Sequence, residues 1–124
     1  MTHKDLEVWK EAMRLAKTVY GVTTSFPKDE IYGLTAQMRR AASIPSNIAE
    51  GAARSSKKEF IQFLYVALGS LAELETQWLL VKELGFCPHY PTDHASHLTN
   101  IDEQIKRVRM MLLGLLRHLK RQSL

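Results

Sequence analysis

Arg40, Ser43, Asn47, Glu50 and Arg54 recur at spacings of three, four, three and four, so a helix carries them as one polar stripe about four turns long. A merely solvated face is rich in Lys and Glu. This stripe instead mixes short hydrogen-bonding groups with ends able to pair as ions, such as Glu50 with Arg54 at i, i+4. Pro45 removes the amide that would meet the Ala41 carbonyl, and Ser43 or Asn47 is placed to satisfy that local break. Gly51 in a helix costs about 1 kcal/mol relative to Ala, and close packing is a reason to keep it. Ala41, Ala42, Ala49, Ala52 and Ala53 surround it with further small side chains, and Gly69 and Ser70 offer a similar opening later in the chain. Two uses of Arg40, Ser43, Asn47, Glu50 and Gly51 remain open: a contact between subunits, and a polar seam within one chain.

Other candidate chemistry is sparse. Cys87, His89, Asp93, His94 and His97 are residue types that zinc accepts, within eleven residues. No CxxC, HExxH or second cluster accompanies them, and a loop entering a helix collects His and Asp without metal, so no metal site and no cofactor is expected. There is no Gly-rich phosphate loop and no GxSxG. Glu73 and Glu75 lack a histidine at helical spacing, and Trp9, Tyr20, Phe60, Phe63 and Trp78 read as core. The expectation is a protein that is not an enzyme.

The 124 residues carry a net charge of +4, unevenly distributed. From Arg39 to Lys58 the bases Arg39, Arg40, Arg54, Lys57 and Lys58 face the single acid Glu50. After Glu103 come Lys106, Arg107, Arg109, Arg117, Lys120 and Arg121, with no acid. Such clusters attract polyanions, although cations at a helix C-terminus also answer the helix dipole. Arg39, Arg54, Lys57 and Lys58, with Arg117, Lys120 and Arg121, are the candidate phosphate contacts for RNA or DNA. The rival reading is a protein-interaction module whose basic charge is incidental.

These groups must be held by helices. Leu6, Trp9, Met13, Ala16 and Tyr20 form one helical stripe, and Val8, Ala12, Leu15, Val19 and Val22 a second beside it, before Phe26-Pro27 stops the segment. Ile31, Leu34, Met38, Ala41, Ile48 and Ala52 keep one register across Pro45, which predicts a proline-kinked second helix. Ser56 and Glu59 make a capping box for a third, which Gly85 ends. In the fourth, expected from about Asp93 to Arg121, Leu98, Ile101, Ile105, Val108, Leu112, Leu115 and Leu119 alternate by three and four. Short connections force sequential helices to run antiparallel. The spacing therefore predicts an all-α, antiparallel up-down four-helix bundle, one domain over residues 1–124, with every apolar face covered inside the bundle. A single cysteine precludes an intrachain disulfide. No signal-like stretch opens the chain and no apolar run suits a bilayer, so a cytoplasmic protein without membrane contact is expected.

Asp5-Leu6-Glu7-Val8-Trp9-Lys10, Phe26-Pro27-Lys28-Asp29-Glu30 and the run from Gln37 to Gly51, containing SIPSNIAEG, resemble the 23S rRNA intervening-sequence proteins. The stretch from Phe60 to Glu75 also fits that pattern, so the resemblance spans about residues 5 to 86. It implies an antiparallel four-helix bundle assembled as a ring-like homopentamer. The accessory protein of diversity-generating retroelements is similar in fold, and there a basic pentamer associates with nucleic acid.

Overall fold

The computed structural model describes residues 2–86 and 100–122. Among these, all regular structure is helical: α1 (Glu7–Thr23), α2 (Leu34–Arg39), α3 (Ser43–Ala53), α4 (Lys57–Leu84) and α5 (Ile101–Arg121). Short 3₁₀ turns lie at His3–Asp5, Lys28–Glu30 and Arg40–Ala42. With α2 and α3 taken as one interrupted segment, four helical segments enclose a single core.

The helix ends follow from local chemistry. The Ser56 hydroxyl accepts the Glu59 amide at 3.1 Å, satisfying one of the unpaired donors that open α4. At the other end Gly85 takes φ 71°, its amide bonds Lys82, and the Phe86 amide reaches back to the Val81 carbonyl. That left-handed cap needs no Cβ. The Asn100 side chain accepts from the Glu103 amide at 3.2 Å to start α5. The Thr24 and Ser25 hydroxyls bond the Gly21 and Val22 carbonyls and wind α1 down before buried Phe26, whose ring meets Phe86 edge-on at 6.2 Å.

Pro45 sits in the first turn of α3, where no intrahelical amide bond is lost. The chain tightens before it instead, through the 3₁₀ turn Arg40–Ala42, with Arg39 to Ser43 all in the right-handed helical region. Neither the Ser43 nor the Asn47 side chain, the expected partners of the Ala41 carbonyl, bonds it, and the Ser43 hydroxyl donates to Ser70 instead. Ser46 bonds the Ala42 carbonyl at 2.8 Å, and Asn47 bonds the Ser43 carbonyl at 2.8 Å.

Trp78, Leu15, Met38, Ile44, Ile48, Leu64, Leu71, Leu74, Ile101, Ile105 and Leu112 are fully buried. Burial of side chains of this size contributes about 1.5–3 kcal/mol each before entropy is counted. Three details depart from the sequence reading. Of the two apolar stripes on α1, Val8, Ala12, Leu15 and Val19 take the core, while Met13 and Tyr20 of the other are exposed. On α5 it is Leu116, not Leu115, that is buried, because a straight helix at 3.6 residues per turn drifts off a strict seven-residue repeat. Not every apolar face is covered, either: Val66, Leu79 and Leu80 of α4 are 51%, 52% and 44% exposed. The described residues contain no helix long and apolar enough to cross a membrane.

Gly51 marks the closest approach of α3 and α4. A Cβ there would lie 2.7 Å from Phe63 Cβ and 3.0 Å from the Phe60 ring. Gly51→Ala should therefore lower the unfolding free energy by about 1–3 kcal/mol in urea titration, despite the better helix propensity of Ala. A gain of stability would contradict this packing.

Candidate nucleic-acid interface

Three side-chain pairs set α4 against α5. Lys82 Nζ meets Asp102 Oδ1 at 3.0 Å, Arg109 pairs with Glu75, and the Lys120 ammonium meets the Tyr65 hydroxyl and lies 4.8 Å from its ring centre. Numbers rise along α5 as they fall along α4, so the last turn of α5 lies beside the opening turns of α4. Lys58 is seven residues, about 10 Å of helix rise, from Tyr65. Lys57, Lys58, Arg117, Lys120 and Arg121 thus gather at one end of the bundle. None of the five pairs with a carboxylate among the described residues.

Arg54 comes to the same end, but it is occupied. Its guanidinium lies 5.0 Å over the Phe63 ring, 2.8 Å from Glu50 Oε2 and 3.7 Å from Glu59 Oε2. All three charged side chains are close to half exposed, so these pairs contribute a few tenths of a kcal/mol each. Arg39 is elsewhere. It donates to Thr23 Oγ1 at 2.9 Å and stacks 5.0 Å over Tyr20. Thr23 and Phe26 lie at the end of the bundle where α4 finishes, as the Phe26–Phe86 contact shows, so Arg39 is a helix length away from Lys57 and Lys58.

The polar stripe on the second segment is drawn largely into the chain itself. Ser43 Oγ donates to Ser70 Oγ at 3.1 Å across α3 and α4, Asn47 is half-buried on the Ser43 carbonyl, and Gly51 lies under Phe60 and Phe63. Arg40 is exposed beside a narrow polar crevice that Gln37, Ser43, Ser70, Glu73 and Gln77 line. Glu50, also exposed, faces solvent through its pair with Arg54. Cys87, His89, Asp93, His94 and His97 lie outside the described residues.

The family model described as 23S rRNA-intervening sequence protein matches residues 4–114. The chain belongs to the 23S rRNA-intervening sequence protein family. No curated protein matches it. In this family member the matched span includes Lys57 and Lys58 but ends before Arg117, Lys120 and Arg121.

The sequence identified the cations and the Glu50–Arg54 pair, but not the other contacts that hold them. Tyr65, Tyr20 and Thr23 carried no charge signal, and Glu59 was legible only as a cap. All four contacts are set by tertiary placement rather than by helical spacing.

Helix polarity separates the two basic clusters. Arg117, Lys120 and Arg121 stand at the negative end of α5, where cations stabilise the helix. Lys57 and Lys58 are the first two residues of α4, at its positive end, where they do the opposite. Lys57→Ala/Lys58→Ala should leave the melting temperature unchanged or raise it, by up to about 1 kcal/mol of stability at low ionic strength. A lowered melting temperature would mean the lysines serve the fold.

Proposed function

We propose that this family member is a non-enzymatic, oligomeric helical scaffold that binds RNA or DNA through its basic end, with weak sequence specificity. The supporting observation is the convergence of Lys57, Lys58, Arg117, Lys120 and Arg121 without carboxylate partners among the described residues, two of them where helix polarity disfavours cations. Lysine ammoniums act as point charges toward phosphate and carry little base information. Arg39 and Arg54, with their local partners, are secondary contacts in this reading.

The scaffold is read as an antiparallel up-down bundle whose second helix is kinked at Pro45. The opposed stepping of the three α4–α5 pairs, the Phe26–Phe86 contact and the tightened turn before Pro45 support it. A homopentamer follows from the family resemblance alone. A cytoplasmic location suits the same reading. Arg40 and Glu50, exposed on the stripe, remain the candidates for contact between copies.

A second reading draws on the uncovered apolar face of α4. There the chain is a protein-interaction module, and its basic charge is incidental.

Fluorescence anisotropy with labelled single-stranded RNA and duplex DNA, across a salt series, separates the two. The nucleic-acid reading expects binding that weakens steeply with salt. Lys57→Ala/Lys58→Ala should reduce both the affinity and the salt slope, the slope by roughly 1.5 to 2, whereas Arg39→Ala should change neither by as much. Absence of binding at low salt, or a double variant of unchanged affinity, would leave the protein-interaction reading in its place.

A further inference from the structure

The outer face of α4 has no account within one chain. Val66, Gly69, Glu73, Thr76 and Leu80 step by three and four along it, with Leu79 beside them. Val66, Leu79 and Leu80 are about half exposed, and no Lys or Arg occurs between Glu59 and Lys82. A solvent-facing helix surface ordinarily carries such charges. Gly69 adds a second anomaly. A Cβ there would meet nothing within 4 Å, so no neighbour among the described residues requires glycine in the middle of a helix. Close approach of a second backbone does require it.

A groove of matching character lies between α1 and α3. Trp9, Met13, Tyr20, Pro45 and Ala49 line about 710 Å³ of open space. Its ionisable members are His3 and Lys17, whereas those of the α4 face are Glu73 and Glu83. Exposed apolar side chains with acids thus stand on one side of the molecule, and an apolar groove with bases on another. The two surfaces are opposite in charge, so each suits the other better than a copy of itself.

We propose that the outer face of α4 in one copy of this chain seats in the α1–α3 groove of a second copy, a head-to-tail contact in which Glu73 approaches Lys17. The contact rests on the self-assembly proposed above and specifies its surfaces. A head-to-tail contact leaves each pair with one free face and one free groove, so assembly continues until it closes.

Complementation between two disabled chains tests it. Leu79→Glu/Leu80→Glu spoils the face and keeps the groove; Met13→Glu spoils the groove and keeps the face. All three sites are exposed, and circular dichroism checks that helicity is retained. Lys17→Glu replaces Met13→Glu if the latter loses it. Sedimentation should find wild type as an assembly and each variant alone as the 14.2 kDa chain. An equimolar mixture should form a species of two chains and no larger one, because only one good face and one good groove meet. A mixture that stays monomeric overturns the head-to-tail contact, and a Met13→Glu chain that pairs on its own overturns it in favour of face-to-face pairing. Variants that assemble like wild type overturn the choice of surfaces alone. A wild type that is monomeric at every concentration overturns the self-assembly reading itself, and this contact with it.

Discussion

Helix α4 buries one face completely and still carries half-exposed Val66, Leu79 and Leu80 outside it, and most of the structure's other features answer to that burial. One face, through Leu64, Ala67, Leu71, Leu74, Trp78 and Val81, is fully buried. To bury it, α3 must come so close that position 51 has no room for a Cβ, and α5 must set its own stripe from Ile101 to Leu119 on the other flank. Once these helices are in place the inner face is saturated, while Val66, Leu79 and Leu80 on the remaining surface of α4 stay about half exposed. Exposed apolar side chains grouped on one helix face are a place where a partner surface gains by burial, and the contact between copies proposed above would supply that surface.

The charges are distributed around the same frame. Along α4 the bases are confined to the two ends, with Lys57 and Lys58 at the first turn and Lys82 near the last, so the middle is left to apolar contact and to two acids. Glu75 is paired with Arg109, which ties α4 to α5, while Glu73 borders the crevice beside Arg40. Glu11, nearly buried on α1, pairs with Arg14 and lies 3.7 Å from Arg107, a similar tie between α1 and α5. Lys57, Lys58, Arg117, Lys120 and Arg121, none paired with a carboxylate among the described residues, stand at one end of the bundle. Assembly would repeat that end once per copy, and several weak phosphate-binding surfaces on one particle bind a polyanion far more tightly than one alone.

Helix existence and the ends of α4 were legible because they rest on local chemistry, whereas α5 begins at Ile101 with Asn100 as its cap rather than near Asp93, and α2 at Leu34 rather than Lys28. The Ser56 cap and the left-handed Gly85 each act within a few residues of where they stand. What the sequence left open depended on placement. Periodicity marks an apolar face but cannot choose between two adjacent apolar stripes, so Val8, Ala12, Leu15 and Val19 could not be separated from Trp9, Met13 and Tyr20. A seven-residue repeat cannot register the drift that exchanges Leu115 for Leu116. For the candidate site, composition identified Arg39 and Arg54 as well as Lys57 and Lys58. The Glu50–Arg54 pair was legible at i, i+4, but only the fold reveals that Glu59 and Phe63 complete the enclosure of Arg54 and that Arg39 is engaged by Thr23 and Tyr20 at the far end.

The two tryptophans allow the central claim, that the uncovered face of α4 is covered by another copy, to be measured in the unmodified protein. Trp78 is fully buried in the core, and Trp9 is half-buried in the α1–α3 groove. Acrylamide quenching of tryptophan fluorescence, followed across protein concentration alongside the sedimenting mass, reads the groove directly. Trp78 should resist the quencher throughout, and Trp9 should become protected in step with the rise in mass. A mass that rises while Trp9 stays equally accessible would contradict the account.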